Sequence, residues 1–159
     1  MTTVTFRKAT LNDLDRLVDL LIRQKRLNEE FDPLLRLRED IAETGRKYLE
    51  EAIMSENSLV VVAEADGRVV GFLKADIKER LFYYPKTEGN IVELYLLPEY
   101  RRKGNGVKLL EYAVNILKER AEIITAEFPS LNEIATRFYT NLNFRAIIST
   151  YARETIIKK

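Results

Sequence analysis

Cysteine, histidine and tryptophan are all absent from this chain. Without cysteine there is no disulfide and no thiolate nucleophile or metal ligand. Without histidine, any acid, base or ligand must be Asp, Glu, Tyr, Lys or a hydroxyl, which argues against a zinc site. Long apolar runs are missing too. The longest, Leu59–Ala63, falls far short of the ~20 residues that span a bilayer. The first residues, Met1 to Arg7, hold no apolar core of signal-peptide length, so the expectation is a cytoplasmic protein with no membrane partner. Nor does one sign of charge prevail. Twenty-six basic residues against 25 acidic ones leave +1, so no global field recruits nucleic acid. Glycine (6) and proline (4) are too scarce for a flexible linker, and no repeat divides the chain, so a single domain over 1–159 is expected.

What remains is a soluble, globular composition, 46% hydrophobic and 32% charged. A chain of 159 residues is long enough to bury roughly 68–70% of its unfolded surface. The most informative stretch runs from Asn90 to Lys118. Its first residues read as a buried strand that Pro98 stops, because proline cannot donate to a ladder. Apolar residues at 107, 109, 110, 113, 114 and 117 then have helical spacing. Between strand and helix lie Arg101, Arg102, Lys103, Gly104, Asn105 and Gly106, followed by Val107 and Lys108. A helix start leaves four amide donors without partners, and the dipole adds positive potential. With the basic side chains, this corner is a candidate phosphate receptor. It is not a Walker loop, since Lys103 precedes the first glycine. It is not a dinucleotide fingerprint either, since Leu109 stands where the third glycine belongs.

Elsewhere the patterns alternate between strand and helix. Val4–Lys8 reads as a strand, and Thr10 with Asp13 as a capping box for a helix that frays near Leu27 and Asn28. Pro33 breaks the chain before a second helix over Leu37–Met54. Leu59–Ala65 and Val69–Ile77 flank Asp66-Gly67, the strongest hairpin signal present. Leu81–Gly89, with Tyr83, Tyr84 and Pro85, reads as a loop. After the central unit come a strand over Ile123–Phe128, a helix over Asn132–Asn141, and two strands over Phe144–Ser149 and Thr150–Ile157.

Arg-x-x-Gly-x-Gly at 101–106 resembles motif A of the GNAT superfamily, the acyl-CoA-dependent N-acyltransferases. Asn132, Ala135, Phe138-Tyr139 and Asn143-Phe144 resemble its motif B, with Asn143 in place of the usual glycine. A helix end there needs left-handed backbone, which Asn tolerates next best. The resemblance covers nearly the full length. It implies an α/β fold with the order β-α-α-β-β-β-α-β-α-β-β: a mixed, mostly antiparallel central sheet with helices on both faces. It also implies acetyl transfer from acetyl-CoA, the cosubstrate, to an amine, with no metal.

On that resemblance, the loop Arg101 to Val107 and Asn132 hold the cofactor, and the backbone of Leu94, Tyr95 and Leu96 polarises the thioester carbonyl. Tyr139 stands at the position of the acid that protonates the leaving thiolate; a phenol, pKa ~10, outlasts a thiol, ~8.5, as a proton donor. A base is needed because an alkyl amine of pKa ~10.4 arrives protonated. Glu127, at a strand end, and Glu93, on the central strand, are the candidates, with Glu127 ranked first for its match to the amino-terminal acetyltransferase branch. Residues 28–64 hold ten acidic against four basic side chains. Glu29, Glu30 and Asp32, with Phe31 among them, would attract a cationic acceptor such as a polyamine or amino sugar. Three readings stay open: acetylation of a small-molecule amine, acetylation of a protein amino terminus or lysine, and a non-catalytic acyl-CoA-binding module. A homodimer that exchanges or pairs its terminal strands, as in relatives, is compatible with the sequence but not decided by it.

Overall fold

The computed structural model describes residues 3–156. Strands β1 (Val4–Lys8), β2 (Ser58–Ala65), β3 (Arg68–Glu79), β4 (Thr87–Leu96) and β5 (Ile123–Ala126) form one sheet in that spatial order. All neighbours are antiparallel except β4 and β5, which run parallel. Four helices accompany them: α1 (Leu14–Asn28), α2 (Ile41–Met54), α3 (Asn105–Leu117) and α4 (Glu133–Asn141).

The apolar runs of β2 and β3 follow from burial on both faces. Val60, Val62 and Phe72 meet Leu17, Leu20 and Leu21 of α1 and Leu49 of α2. Their neighbours Val61, Leu73 and Ala75 meet Leu109, Leu110 and Ala113 of α3. Asp66 and Gly67 both take positive φ (53° and 73°), as a two-residue hairpin requires. Asp13 accepts the Thr10 amide at 2.8 Å, the reciprocal bond of a capping box. Arg7 clamps the same carboxylate through both nitrogens and holds it below the usual carboxylate range.

Besides β5, which ends at Ala126 rather than Phe128, three expectations need correction. The second helix starts at Ile41, not Leu37, because Asp32 caps a short 3-10 turn over Pro33–Leu35 and extended backbone follows at Arg36. The central strand begins at Thr87, three residues before Asn90, because β3 continues to Glu79 and offers a partner that far. The two terminal strands do not form: the described residues beyond Asn143 adopt neither helix nor strand. Ile147, Ile148, Tyr151 and Ile156 of that segment are exposed, so their strand-like pattern finds no layer to pack against. The last residue of that expectation, Ile157, lies outside the described residues.

Two irregularities of β4 shape its surroundings. Glu93 pairs with Lys74 and Ile91 with Ala75, so Val92 is an extra residue, a bulge. In a regular strand 91, 93 and 95 would share a face. The bulge sends Ile91 toward α3 and turns Tyr95 toward α1 and α2. The second irregularity is that β5 pairs with β4 only as far as Ile91, with one more bond from the Glu127 amide to the Ile91 carbonyl. Past that point the β5-facing edge of β4 has no strand partner among the described residues.

Candidate active site

The basic corner between β4 and α3 has a geometry that could receive an anion. Pro98–Tyr100 makes one 3-10 turn, after which Arg102 and Gly104 take positive φ (63° and 79°). Among the described residues, the amides from Arg102 through Val107 donate to no backbone or side-chain acceptor; the Lys108 amide closes the first helical bond onto the Gly104 carbonyl. Alternating positive and negative φ folds such amides toward a common point. The Asn105 side chain donates to the Tyr100 carbonyl at 2.9 Å and fixes the corner from within. Arg101 does the same: its Nε donates to the Leu96 carbonyl at 2.8 Å while the guanidinium covers the Tyr95 ring. Arg102 and Lys103 stay exposed. Free amides, a helix N-terminus and two exposed cations fit a diphosphate.

The β4 carboxylate lies at the centre of a polar cluster beneath α1 and α2. Glu93 is only 5% exposed. Its Oε1 accepts from the Lys25 ammonium at 2.6 Å and its Oε2 from the Tyr48 hydroxyl at 2.7 Å. Lys74 sits 4.4 Å over the Tyr48 ring and pairs with Asp76 at 2.7 Å. Burial and the nearby carboxylates raise the Tyr48 hydroxyl far above its ordinary range, so it stays a donor. A cavity of about 280 Å³ opens beside this cluster, walled by Leu21, Lys25, Ile41, Thr44, Tyr48 and Glu93. Next to Lys25 on α1, Gln24 is buried, with Nε2 near the Leu94 carbonyl (3.5 Å) and Oε1 without a partner among the described residues.

Glu127 is exposed at the end of β5 and accepts from Asn90 Nδ2 at 2.7 Å. It does not line the cavity. Tyr139 is 5% exposed, stacked on Phe128 (5.2 Å, 9°) with Phe138 and Phe144 edge-on. Burial pushes its hydroxyl well above the ordinary phenol range, and it bonds to no described residue. A Cβ on Gly106 would lie 3.2 Å from Phe138, so the glycine lets the start of α3 close on the ring that flanks Tyr139. Asn132 caps α4 through the Ala135 amide at 3.0 Å. Asn143 takes φ 69°, and the Phe144 amide reaches back to the Tyr139 carbonyl.

The acidic cluster stands apart from the cavity. Glu29 accepts the Leu37 amide, Asp32 accepts the Leu34 amide, and neither they nor Phe31 line it. Lys25, Tyr48 and Gln24 escaped sequence reasoning. Their signal was faint but present: Gln24 and Lys25 continue the inward stripe of Leu17 and Leu21, and Tyr48 lies one turn before Ala52 on the buried side of α2.

The acetyltransferase (GNAT) family model matches residues 15–144. The chain belongs to that family. GNAT membership makes it an acetyl-CoA-dependent N-acetyltransferase. An uncharacterized N-acetyltransferase of Archaeoglobus fulgidus is 31% identical over 140 residues, covering 87% of this chain and 91% of that protein. An N-alpha-acetyltransferase of Saccharolobus solfataricus is 29% identical over 150 residues, covering 90% and 81%. A predicted acetyltransferase of Clostridium acetobutylicum, solved with acetyl-CoA, superposes with a TM-score of 0.77 at 20% identity over 96% of each chain. The mixed five-stranded sheet with flanking helices is thus the GNAT architecture. Among the described residues no helix is long and apolar enough to cross a membrane.

Proposed function

We propose that this GNAT enzyme acetylates the primary amine of a small molecule lodged between α1, α2 and β4. One observation supports it above the others: a buried carboxylate, Glu93, borders the cavity and already holds an ammonium, that of Lys25. Bound acetyl-CoA supplies an acyl group on a good leaving thiolate. The amides of Arg102 to Val107, with Arg102 and Lys103, hold its diphosphate; Arg101 shapes the corner instead.

Glu93 takes the proton that the acceptor must lose before attack. This reverses the order of the two glutamates, because Glu127 is exposed and outside the cavity. Amides of Leu94 and Leu96, on the edge that β5 has left, meet the charge developing on the carbonyl oxygen, whereas the Tyr95 amide, like that of Leu97, faces β3. Tyr139 keeps its proton at neutral pH and delivers it to the thiolate.

Peptide amino termini are the second reading, favoured by the Saccharolobus relative's name. Thiol release from acetyl-CoA, followed with polyamines, amino sugars, simple monoamines and short peptides, separates the two. Turnover on peptides alone rejects the small-molecule acceptor; turnover on none of these classes rejects both.

A further inference from the structure

Lys25 is itself a primary amine, and it sits where the acceptor's amine is needed. Its Nζ lies 2.6 Å from Glu93 Oε1, and its side chain is 30% exposed on the wall of the cavity. Resting on the reading above, we infer that Lys25 is an internal acceptor: with acetyl-CoA bound and no amine in the cavity, the enzyme acetylates its own Lys25.

The placement follows from the fold. Lys25 and Gln24 occupy the last turns of α1, directly over β4, with the Gln24 amide reaching the Leu94 carbonyl. Leu94 is the residue after Glu93 and the first of the stretch proposed to polarise the thioester. The other oxygen of Glu93 is tied to Tyr48, whose hydroxyl stays a donor, so the carboxylate is free to act on the Lys25 side only. A long, partly solvated stem lets the amine swing by an ångström or more without disturbing the core.

The step balances with groups already named. Glu93 takes one proton from the ammonium. The amine nitrogen bonds to the carbonyl carbon of the thioester, the C–S bond breaks as Tyr139 protonates the departing thiolate, the nitrogen gives up its second proton through water to the Tyr139 phenolate, and Glu93 returns its proton to solvent. The products are Nε-acetyl-Lys25 and free CoA. An amide cannot pair with Glu93 as an ammonium does, so the carboxylate loses its counter-ion and the cavity loses part of its volume. The modified enzyme is therefore blocked and less stable. An external amine, by occupying the cavity and displacing Lys25, protects the enzyme from its own cofactor.

The test incubates the full chain with acetyl-CoA alone and reads intact mass and peptide masses over time. One acetyl group should appear at Lys25, at a rate independent of protein concentration, and at least tenfold faster than on the exposed Lys118 or Lys47. Tyr139→Phe should slow it at least tenfold, and Lys25→Arg should leave the intact mass unchanged. A second readout is stability: the melting temperature of the acetylated protein should fall, and Lys25→Gln, which needs no turnover, should reproduce the fall. Labelling of Lys25 no faster than of surface lysines overturns the inference, as does a rate that scales with protein concentration. If external amines are acetylated while Lys25 stays bare, the internal acceptor alone is wrong. If neither is acetylated, the proposed function fails with it.

Discussion

Replacing Tyr139 by Phe isolates the proton delivered to the leaving group. The hydroxyl bonds to no described residue, so its removal leaves no orphaned partner behind. The ring keeps its stacking on Phe128 and its edge contacts with Phe138 and Phe144, each worth about 0.5–1.5 kcal/mol. Stability should therefore stay within about 0.5 kcal/mol of the parent, or roughly 1–2 °C in Tm for a chain of this size. Alanine would be uninformative, since losing the ring costs about 3–5 kcal/mol of core packing. The chemical step behaves otherwise. General acid catalysis contributes about 10²–10⁴-fold, which is roughly 2.7–5.4 kcal/mol of barrier. Thiol release under saturating acetyl-CoA and amine should show kcat lowered by that factor, with CoA affinity by calorimetry unchanged. The pH profile adds a second check. Burial raises the hydroxyl, so the proton is held across neutrality, and alkaline loss of kcat through Tyr139 should set in only above the usual phenol range of ~10. A Phe variant with kcat within twofold of the parent removes Tyr139 from the proton path and leaves that proton to water.

Glu93→Gln should lower kcat/KM by about 10²–10⁴-fold while Tyr48 still donates to the amide oxygen, whereas Glu127→Gln should cost less than about tenfold; the opposite ranking in steady-state rates makes Glu127 the base. Arg102→Ala with Lys103→Ala should weaken CoA roughly 10–100-fold, with the deficit shrinking at high salt; an unchanged Kd means that the amides suffice alone. Asp13 is held low by Arg7, so its share of stability is complete above ~4 and is lost as pH falls through its depressed folded value. Denaturant titrations should show the acid limb of the parent flattened in Asp13→Asn; equal limbs refute that assignment.

The layers of this protein were legible from its sequence because their causes are local or periodic. Asp66-Gly67 dictates a hairpin through backbone sterics alone, and Asn132 and Asn143 mark the ends of α4 by the bonds and φ values their side chains favour. The glycine corner was legible for the same reason: amides at a helix start lack partners wherever the helix is placed. Two things were not. Phe144 to Ile157 has the pattern of strands, yet pairing depends on a neighbouring edge and a layer to cover it, and the described residues beyond Asn143 find neither. The surroundings of Glu93 were hidden more deeply. One extra residue at Val92 sets which face of β4 its neighbours take, and only the packing of α1 and α2 over that face brings Lys25 and Tyr48, from distant parts of the chain, to one carboxylate. Register and helix docking are long-range choices, so the groups that surround Glu93 were decided by tertiary structure alone.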